Sequence, residues 1–305
     1  MNHAYFNRIV HLLEHHPQQG KRLIGLGANA FWELWQRVEK LDKMAQKQRA
    51  ENAQRRRQVG GGLKKSANVV SRLLVCLLYL RQHWTMQALA EAVGCSEVTV
   101  WNYIHEMLPY VRQVLPASLL EQWQQECPSI ERAELEACLA ELPGGALLVD
   151  SWEQPIPRPG DNEAQKQYYS GKQKAHTRKN QVITLPLGID LVDGVIGQKG
   201  TRSDSKLFEQ TQAELPEALE FIGDKAYVGR RNTTTPHKKP PNSQLTQAQK
   251  DFNRSLSQQR VYVEHFIRVL KIFRVASEEF RMRARMYEMA ISCVCALARL
   301  RAQYV

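Results

Sequence analysis

Apolar residues recur at helical spacing through the first part of the chain: Tyr5, Ile9, Leu12 and Leu13, then Phe31, Leu34, Trp35, Val38 and Leu41. A period near 3.6 predicts helices over residues 1–58. Within that stretch, Lys43 to Arg57 is polar and cationic and closes in Arg55-Arg56-Arg57, just before Gly60-Gly61-Gly62. The tract reads as a solvated helix or as an arm that tracks DNA phosphates. The three adjacent Arg favour the arm, and the glycines predict a hinge. A new apolar face then begins, formed by Val69, Leu73, Leu74, Leu77 and Leu78.

Two short helices are predicted next, Thr85 to Val93 and Ser96 to Met107, separated by Gly94-Cys95. Thr85 and Ser96 are suited to cap them, because a side-chain oxygen there accepts from a free N–H of the first turn. Leu89, Ala90, Val93, Val100 and Ile104 would pack inward and Gly94 would supply the tight turn. This is the pattern of a helix-turn-helix, set here at residues 63–113. Ser96, Glu97, Thr99, Trp101, Asn102 and His105 would then lie at the groove of a DNA duplex, whereas an ordinary helical hairpin would leave them merely solvated. With Pro109, Pro116, Pro128 and Pro143, residues 109–143 read as short connecting helices, and the connector proper is set at 114–143.

The pattern changes after Pro143-Gly144-Gly145. Ala146-Leu147-Leu148-Val149 is an uninterrupted apolar run, as a strand buried on both faces requires, and it stops at Asp150. Burying an ionised carboxylate at that place is costly without a partner. Leu219-Glu220-Phe221-Ile222-Gly223-Asp224 has the same form, and Glu264 lies in a helical pattern from about Thr246 to Val275. Two Asp at strand ends and one Glu on a helix can meet only if the strands are neighbours and the helix covers them, which a mixed α/β sheet allows. Such a trio suits hard divalent cations. On the helix, Arg260, Glu264, Arg268 and Lys271 share one face by offsets of four, four and three. They form either a run of salt bridges or a cationic stripe beside the acid.

Between the two aspartates, Gln167 to Gln181 is a basic turn interleaved with Tyr and His, carrying Lys172, Lys174 and His176. A strand from Val182 to Ile189 is expected to turn back at Asp193-Gly194, which excludes Asp190 and Asp193 as ligands, since Asp beside Gly in a hairpin serves the backbone. Asp204, after Gly200-Thr201-Arg202-Ser203, is expected to start a helix and is kept as a supporting group for the trio. A last helix is expected from Met286 to Leu300.

At 305 residues the length allows about two domains, and 43% hydrophobic residues is ordinary globular material. The 42 Lys+Arg against 31 Asp+Glu leave a net charge of +11, which points to a polyanionic partner, nucleic acid first. Six cysteines without CxxC spacing read as small buried hydrophobes in a reducing compartment. No stretch reaches the roughly 18 apolar residues of a membrane span and no signal pattern opens the chain, so a cytoplasmic protein is expected.

Taken together, Asp150 with Pro155-Ile156, the Ser170-Gly171-Lys172 turn, Gly200 to Asp204, Gly223-Asp224-Lys225-Ala226-Tyr227 and Arg260-x3-Glu264-x6-Lys271 resemble the DDE transposases of bacterial insertion sequences, the insertion-sequence-five family in particular, which is related to Harbinger-type nucleases. The family signature Tyr-x2-Arg-x3-Glu-x6-Lys is matched except at its first position, Ser257. The resemblance implies a ribonuclease-H-like mixed sheet with flanking helices over residues 144–305, preceded by the all-α helix-turn-helix region. Asp150 would lie on the first strand and Asp224 after the fourth. It also implies that Asp150, Asp224 and Glu264 are catalytic and hold two Mg²⁺ or Mn²⁺ roughly 4 Å apart. Duplex DNA, both element ends and target, would be the partner, bound by a dimer associated with the nucleoid. Arg55, Arg56, Arg57, Lys172, Lys174, His176, Arg260, Arg268 and Lys271 would contact it, with Ser96, Thr99, Trp101 and Asn102. Two rival readings share parts of this pattern. A domesticated DNA-binding regulator needs the helix-turn-helix but not the three acids, and a ribonuclease-H-type nuclease needs the acids but not the helix-turn-helix.

Overall fold

The computed structural model describes residues 2–52, 67–129, 134, 137–139 and 145–304. The predicted Arg55-Arg56-Arg57 arm and the glycine hinge lie outside them. The chain divides into two compact units, one of residues 1–116, 272–275 and 292–305, the other of residues 117–271 and 276–291. No helix among the described residues is long and apolar enough to cross a membrane.

The first unit is helical. The helices expected over this stretch are α1 (His3–His15), α2 (Pro17–Ile24) and α3 (Ala28–Asn52), divided where Pro17 opens a helix and Gly25, at φ 85°, closes it. Helix α4 (Val69–Gln82) is buried from Ser71 to Leu80 and starts at Asn68, whose side chain accepts from the Ser71 N–H at 2.8 Å. Helices α5 (Met86–Val93) and α6 (Glu97–Val114) are capped by Thr85 and Ser96 as expected. Gly94 takes the left-handed conformation between them (φ 65°). Pro109 does not end α6. Leu108 and Val111 are buried on either side of it, and their packing outweighs the one lost backbone bond, so the helix runs to Val114 and the connector begins later than the prolines suggested. Cys76, Cys293 and Cys295 are buried as expected, but Cys127 is exposed.

A buried ion cluster ties three of these helices. Arg72 on α4 donates to Asp42 on α3 and to Glu106 on α6, each at 2.8 Å, and both Arg72 and Asp42 are fully enclosed. Burial alone would lower the Arg72 pKa, but these hydrogen bonds outweigh it and raise it.

The second unit is a mixed six-stranded sheet between helices, the ribonuclease-H-like arrangement. Helix α7 (Leu119–Glu126) leads in, capped by Ser118. Strand β1 (Leu147–Pro155) is central. Helix α8 (Asn162–Tyr168) and the short β2 (Tyr169–Ser170) precede β3 (Ala175–Thr184), which pairs antiparallel with β1 and with β4 (Leu191–Lys199). Helix α9 (Asp204–Glu214) follows, then β5 (Phe221–Ile222), parallel to β1, and β6 (Thr233–Thr234). Helix α10 (Gln247–Lys271) packs on β1. The last helix, α11 (Tyr287–Ala302), belongs to this unit as far as Ile291 and to the first from Ser292 on. Because β2 pairs with the start of β3, Asp224 follows the fifth strand rather than the fourth.

The β3–β4 turn is not at Asp193-Gly194. Pro186, which lacks an N–H for the ladder, opens it, and Leu187 and Gly188, both at φ 64°, close it. Asp193-Gly194 lies inside β4 instead, where the register slips by one residue at Val192. A side chain at Gly194 would sit 3.1 Å from the Gln181 carbonyl oxygen, so a glycine is needed there for close approach rather than for a turn. The carboxylates of Asp190 and Asp193 each accept from the next residue's N–H at 2.7 Å.

The Arg72 cluster makes a testable demand on the first unit. Asp42→Ala leaves a buried guanidinium short of a partner and should destabilise it by about 3–5 kcal/mol in denaturant unfolding, whereas an apolar replacement of Arg72, Asp42 and Glu106 together should be close to neutral. Equal losses in the two variants would contradict this.

Candidate active site

Strand β1 presents different side chains to its two faces, by the two-residue alternation of any strand. Leu147 and Val149 belong to the core with Ile183, Val192, Phe208 and Phe221, under α9. Leu148, Asp150, Trp152 and Gln154 take the other face, where Val263, Phe266, Ile267 and Leu270 of α10 are buried. The parallel pairs are Leu147 with Phe221 and Leu148 with Ile222. Two residues beyond the last pair on each strand come Asp150 and Asp224, so both carboxylates leave the sheet at the same level, where the pairing runs out.

Asp150 is largely enclosed, and its Oδ1 accepts from the Ser151 N–H at 2.8 Å. Burial pushes its pKa up to about 6; the Ser151 N–H and the Arg260 guanidinium oppose the rise, while the charges of Asp224 and Glu264 add to it. The three acids and Arg260 therefore share one electrostatic neighbourhood. Asp224 also caps the short turn Lys225–Tyr227, accepting from the Ala226 N–H at 2.7 Å. Glu264 is 53% exposed and lies 3.4 Å from Arg260. In these positions no three His, Cys, Asp or Glu side chains among the described residues converge to hold a metal ion. Lys271 keeps one side toward solvent, yet enough protein surrounds it that burial lowers its pKa, an effect that Asp150 opposes. Arg268, one turn beyond Glu264 on α10, is exposed.

Directly behind Asp150, on the α9 face, runs a polar lattice. Ser151 Oγ donates to Asp204 Oδ1 at 2.5 Å, and Lys179 Nζ lies 3.0 Å from the same oxygen and 3.7 Å from Glu153. Thr177 donates to Glu153 at 2.9 Å, and the Gln181 amide donates to the Asp204 carbonyl and to Tyr227 Oη, both at 3.2 Å. Burial, then the charges of Asp204 and Asp150, raise the pKa of Tyr227. Ser151 with Gln181 and Glu153 with Lys179 are direct cross-strand partners. Asp204 is thus both the first residue of α9 and a strut for β1. The basic turn expected over Gln167–Gln181 is strand from Ala175 on, so Lys179 lies in the middle of β3, where a buried Lys needs an acid; this role of Lys179, with Ser151 and Tyr227, is not read from the sequence.

The basic hairpin stands apart. Lys172 and Lys174 are exposed in the β2–β3 turn, and the His176 ring packs 5.6 Å from that of Tyr169. Thr177 pairs with Pro155, which places the hairpin ~17 Å along β1 from Asp150 at 3.3 Å per residue. In the first unit, Ser96 Oγ is 2.9 Å from Thr99 Oγ1 and caps α6, Trp101 stacks on His105 at 3.8 Å, and Asn102 is exposed. Val98, at 68%, is the most exposed apolar side chain of that helix and was not foreseen.

Residues 149–299 match the family model of the DDE superfamily endonucleases, and residues 68–117 match that of the helix-turn-helix of DDE superfamily endonucleases. Together the matches take in about two thirds of the chain and include all three acids. The chain belongs to the DDE endonuclease superfamily. It is also 36% identical over 146 residues to a "probable transposase for insertion sequence element IS702" of Microchaete diplosiphon, covering 46% of this chain and 51% of the relative. The chain thus spans about half the length of that curated relative. Membership of the DDE superfamily implies dependence on a divalent metal, and the two domains imply DNA binding.

The buried acid predicts a pH dependence in the absence of metal. Asp150 has a folded pKa of about 6, above its unfolded value, so the folded state holds its proton longer and stability falls as pH rises from about 4 to about 6. In EDTA at pH 8, Asp150→Asn should therefore unfold at a higher temperature than wild type, by up to about 3 kcal/mol of stability, and near wild type at pH 4.5. Divalent ions should raise the melting temperature of wild type more than that of the variant. A variant less stable at pH 8 would show that the carboxylate is not the strained group.

Proposed function

We propose that the chain is a DNA transposase of an insertion sequence, which binds its element's ends, cuts there and transfers the strand. The observation that carries the reading is the position of Asp150 and Asp224 at one level of neighbouring parallel strands, with Glu264 on the helix above and the charges of both Asp224 and Glu264 acting on Asp150. The name of the IS702 relative supports transposition over other DNA cleavage.

The donor set fits divalent metal. It consists of hard carboxylate oxygens, and the most buried of them is a carboxyl whose pKa is raised to about 6 by burial and by two further negative charges, a rise that a cation would reverse. Asp150, Asp224 and Glu264 would hold two Mg²⁺ or Mn²⁺, which activate the attacking oxygen and stabilise the leaving one when bound. The chain's own residues do the rest. Arg260 and Lys271 flank Asp150 and would hold the phosphate beside it, since positioning a charged group is most of what phosphoryl transfer asks of a protein. Ser151, Asp204 and Lys179 fix β1 from behind. The helix-turn-helix would read the element end, with a dimer assembled on DNA in the cytoplasm. The alternative, DNA binding without catalysis, draws on one observation: Glu264 faces Arg260 and the three acids do not converge.

Strand cleavage on duplexes carrying the element's ends, in Mg²⁺, separates the two. Asp150→Asn, Asp224→Asn and Glu264→Gln should each lose at least about 100-fold in rate while still binding DNA, as removal of a group stabilising the transition state does. Cleavage retained in any one removes that residue from the trio, and an inactive wild type that binds the ends favours the alternative. Lys271→Ala should weaken end binding, lower the slope of log K against log salt by about one and melt near wild type. Early melting with an unchanged slope would mean that Lys271 supports the fold instead.

A further inference from the structure

A second concave basic site lies where β4 meets α9. It is an open cavity of about 550 Å³ lined by Gln198, Lys199, Thr201, Arg202, Ser203 and Lys206. Three of the six linings are cations and none is an acid. Among the described residues, Lys199, Arg202 and Lys206 make no ion pair. The nearest acid in sequence, Asp204, is turned inward to Ser151 and Lys179. Arg202 is held in one orientation by donating to Gln198 Oε1 at 2.9 Å. The Ser203 hydroxyl oxygen accepts from the Lys206 N–H at 3.3 Å, which leaves its own proton free to donate outward. A hollow lined by charges of one sign focuses their field and draws in an anion.

We propose that this cavity binds a backbone phosphate of duplex DNA, a contact separate from the Arg260–Lys271 stripe. The inference rests on the reading of the chain as a DNA endonuclease, and it adds where the duplex runs after it leaves the carboxylates. Lys199 pairs with Arg178, and Arg178 with Gln154, so the cavity is level with a residue four beyond Asp150 and two strands across. That is ~13 Å along the strands and ~10 Å across them, or ~16 Å in the plane of the sheet, with Asp150 on the α10 face and the cavity toward α9. A duplex advances about 3.4 Å per base pair, so a duplex passing round the sheet edge would meet the cavity at a phosphate about five or more base pairs from the one at Asp150. Lys172 and Lys174 lie further along the same rim, at the level of Pro155 and beyond. The contact is to the backbone and carries no base preference.

The test uses the full chain with all three acids intact, in EDTA so that binding is read without cleavage. Binding of a labelled end duplex is titrated against salt for wild type and for Arg202→Gln with Lys206→Gln. The double variant should lower the slope of log K by about two and weaken binding to end and unrelated duplexes by the same factor. Ethylation of single phosphates should block wild-type binding at a position about five or more base pairs from the cleaved bond, and that block should vanish in the double variant. Wild type that shows no salt-dependent binding overturns the DNA reading itself. Wild type that binds, with a slope unchanged in the variant or no block at that distance, overturns only the cavity, and the wild-type interference decides the matter if the variant fails to fold.

Discussion

A single constraint organises the catalytic unit: a carboxylate must be held, largely out of water, at the point where a central strand loses its parallel neighbour. β5 pairs with β1 over only two residues, and Asp150 begins where the pairing ends. Had β5 been longer, Asp150 would have been sealed under α10 with no approach for an ion or a phosphate. Had β1 been shorter, the antiparallel pairing with β3 from Leu148 to Pro155 would not hold the acid rigid. The strand is therefore long on one side and short-partnered on the other, and the acid sits at the step.

Rigidity at that step has its own cost, because the residues around Asp150 are polar and buried polar groups need partners. β1 meets the demand with two lattices, one on each face. On the α9 face Asp204 receives Ser151 and Lys179; on the α10 face Tyr287 Oη donates to Gln154 at 2.8 Å and accepts from Asn180 at 2.8 Å. Arg178 lies over the Tyr287 ring at 4.9 Å and donates to the Gly197 carbonyl, which closes the second lattice onto β4. Neither lattice touches the reacting groups as proposed, yet both fix where Asp150 points.

What could be read from the sequence was what is encoded locally. The strand ending in Asp150, the caps Thr85 and Ser96 and the helix phase of Arg260 and Glu264 depend on residues a few positions apart. The lattices could not be read in this way, since Ser151 meets Asp204 across 53 residues and Gln154 meets Tyr287 across 133. Such pairs follow from register, which one sequence does not state. The misplaced turn has the same origin. Asp-Gly is a strong hairpin signal by itself, but the register set by β3 pairs Gly194 with Val182, where a side chain would crowd the Gln181 carbonyl oxygen and the demand is for space. Pro109 was misread because a local breaker was weighed without the packing of Leu108 and Val111 around it.

The arrangement of Glu264 explains how an unconverged trio can still serve metal chemistry. Its pairing with Arg260 is long, at 3.4 Å, and its carboxylate is half in water, so the interaction contributes at most about 1 kcal/mol. A divalent ion beside Asp150 would offer Glu264 a far stronger partner and would ease the repulsion that helps hold the Asp150 pKa near 6. A turn of the Glu264 side chain toward such an ion would free the Arg260 guanidinium, which is mostly covered, for a phosphate oxygen. One weak ion pair on α10 thus keeps two groups of opposite charge in place without committing either, and the arrival of metal and DNA together would satisfy both.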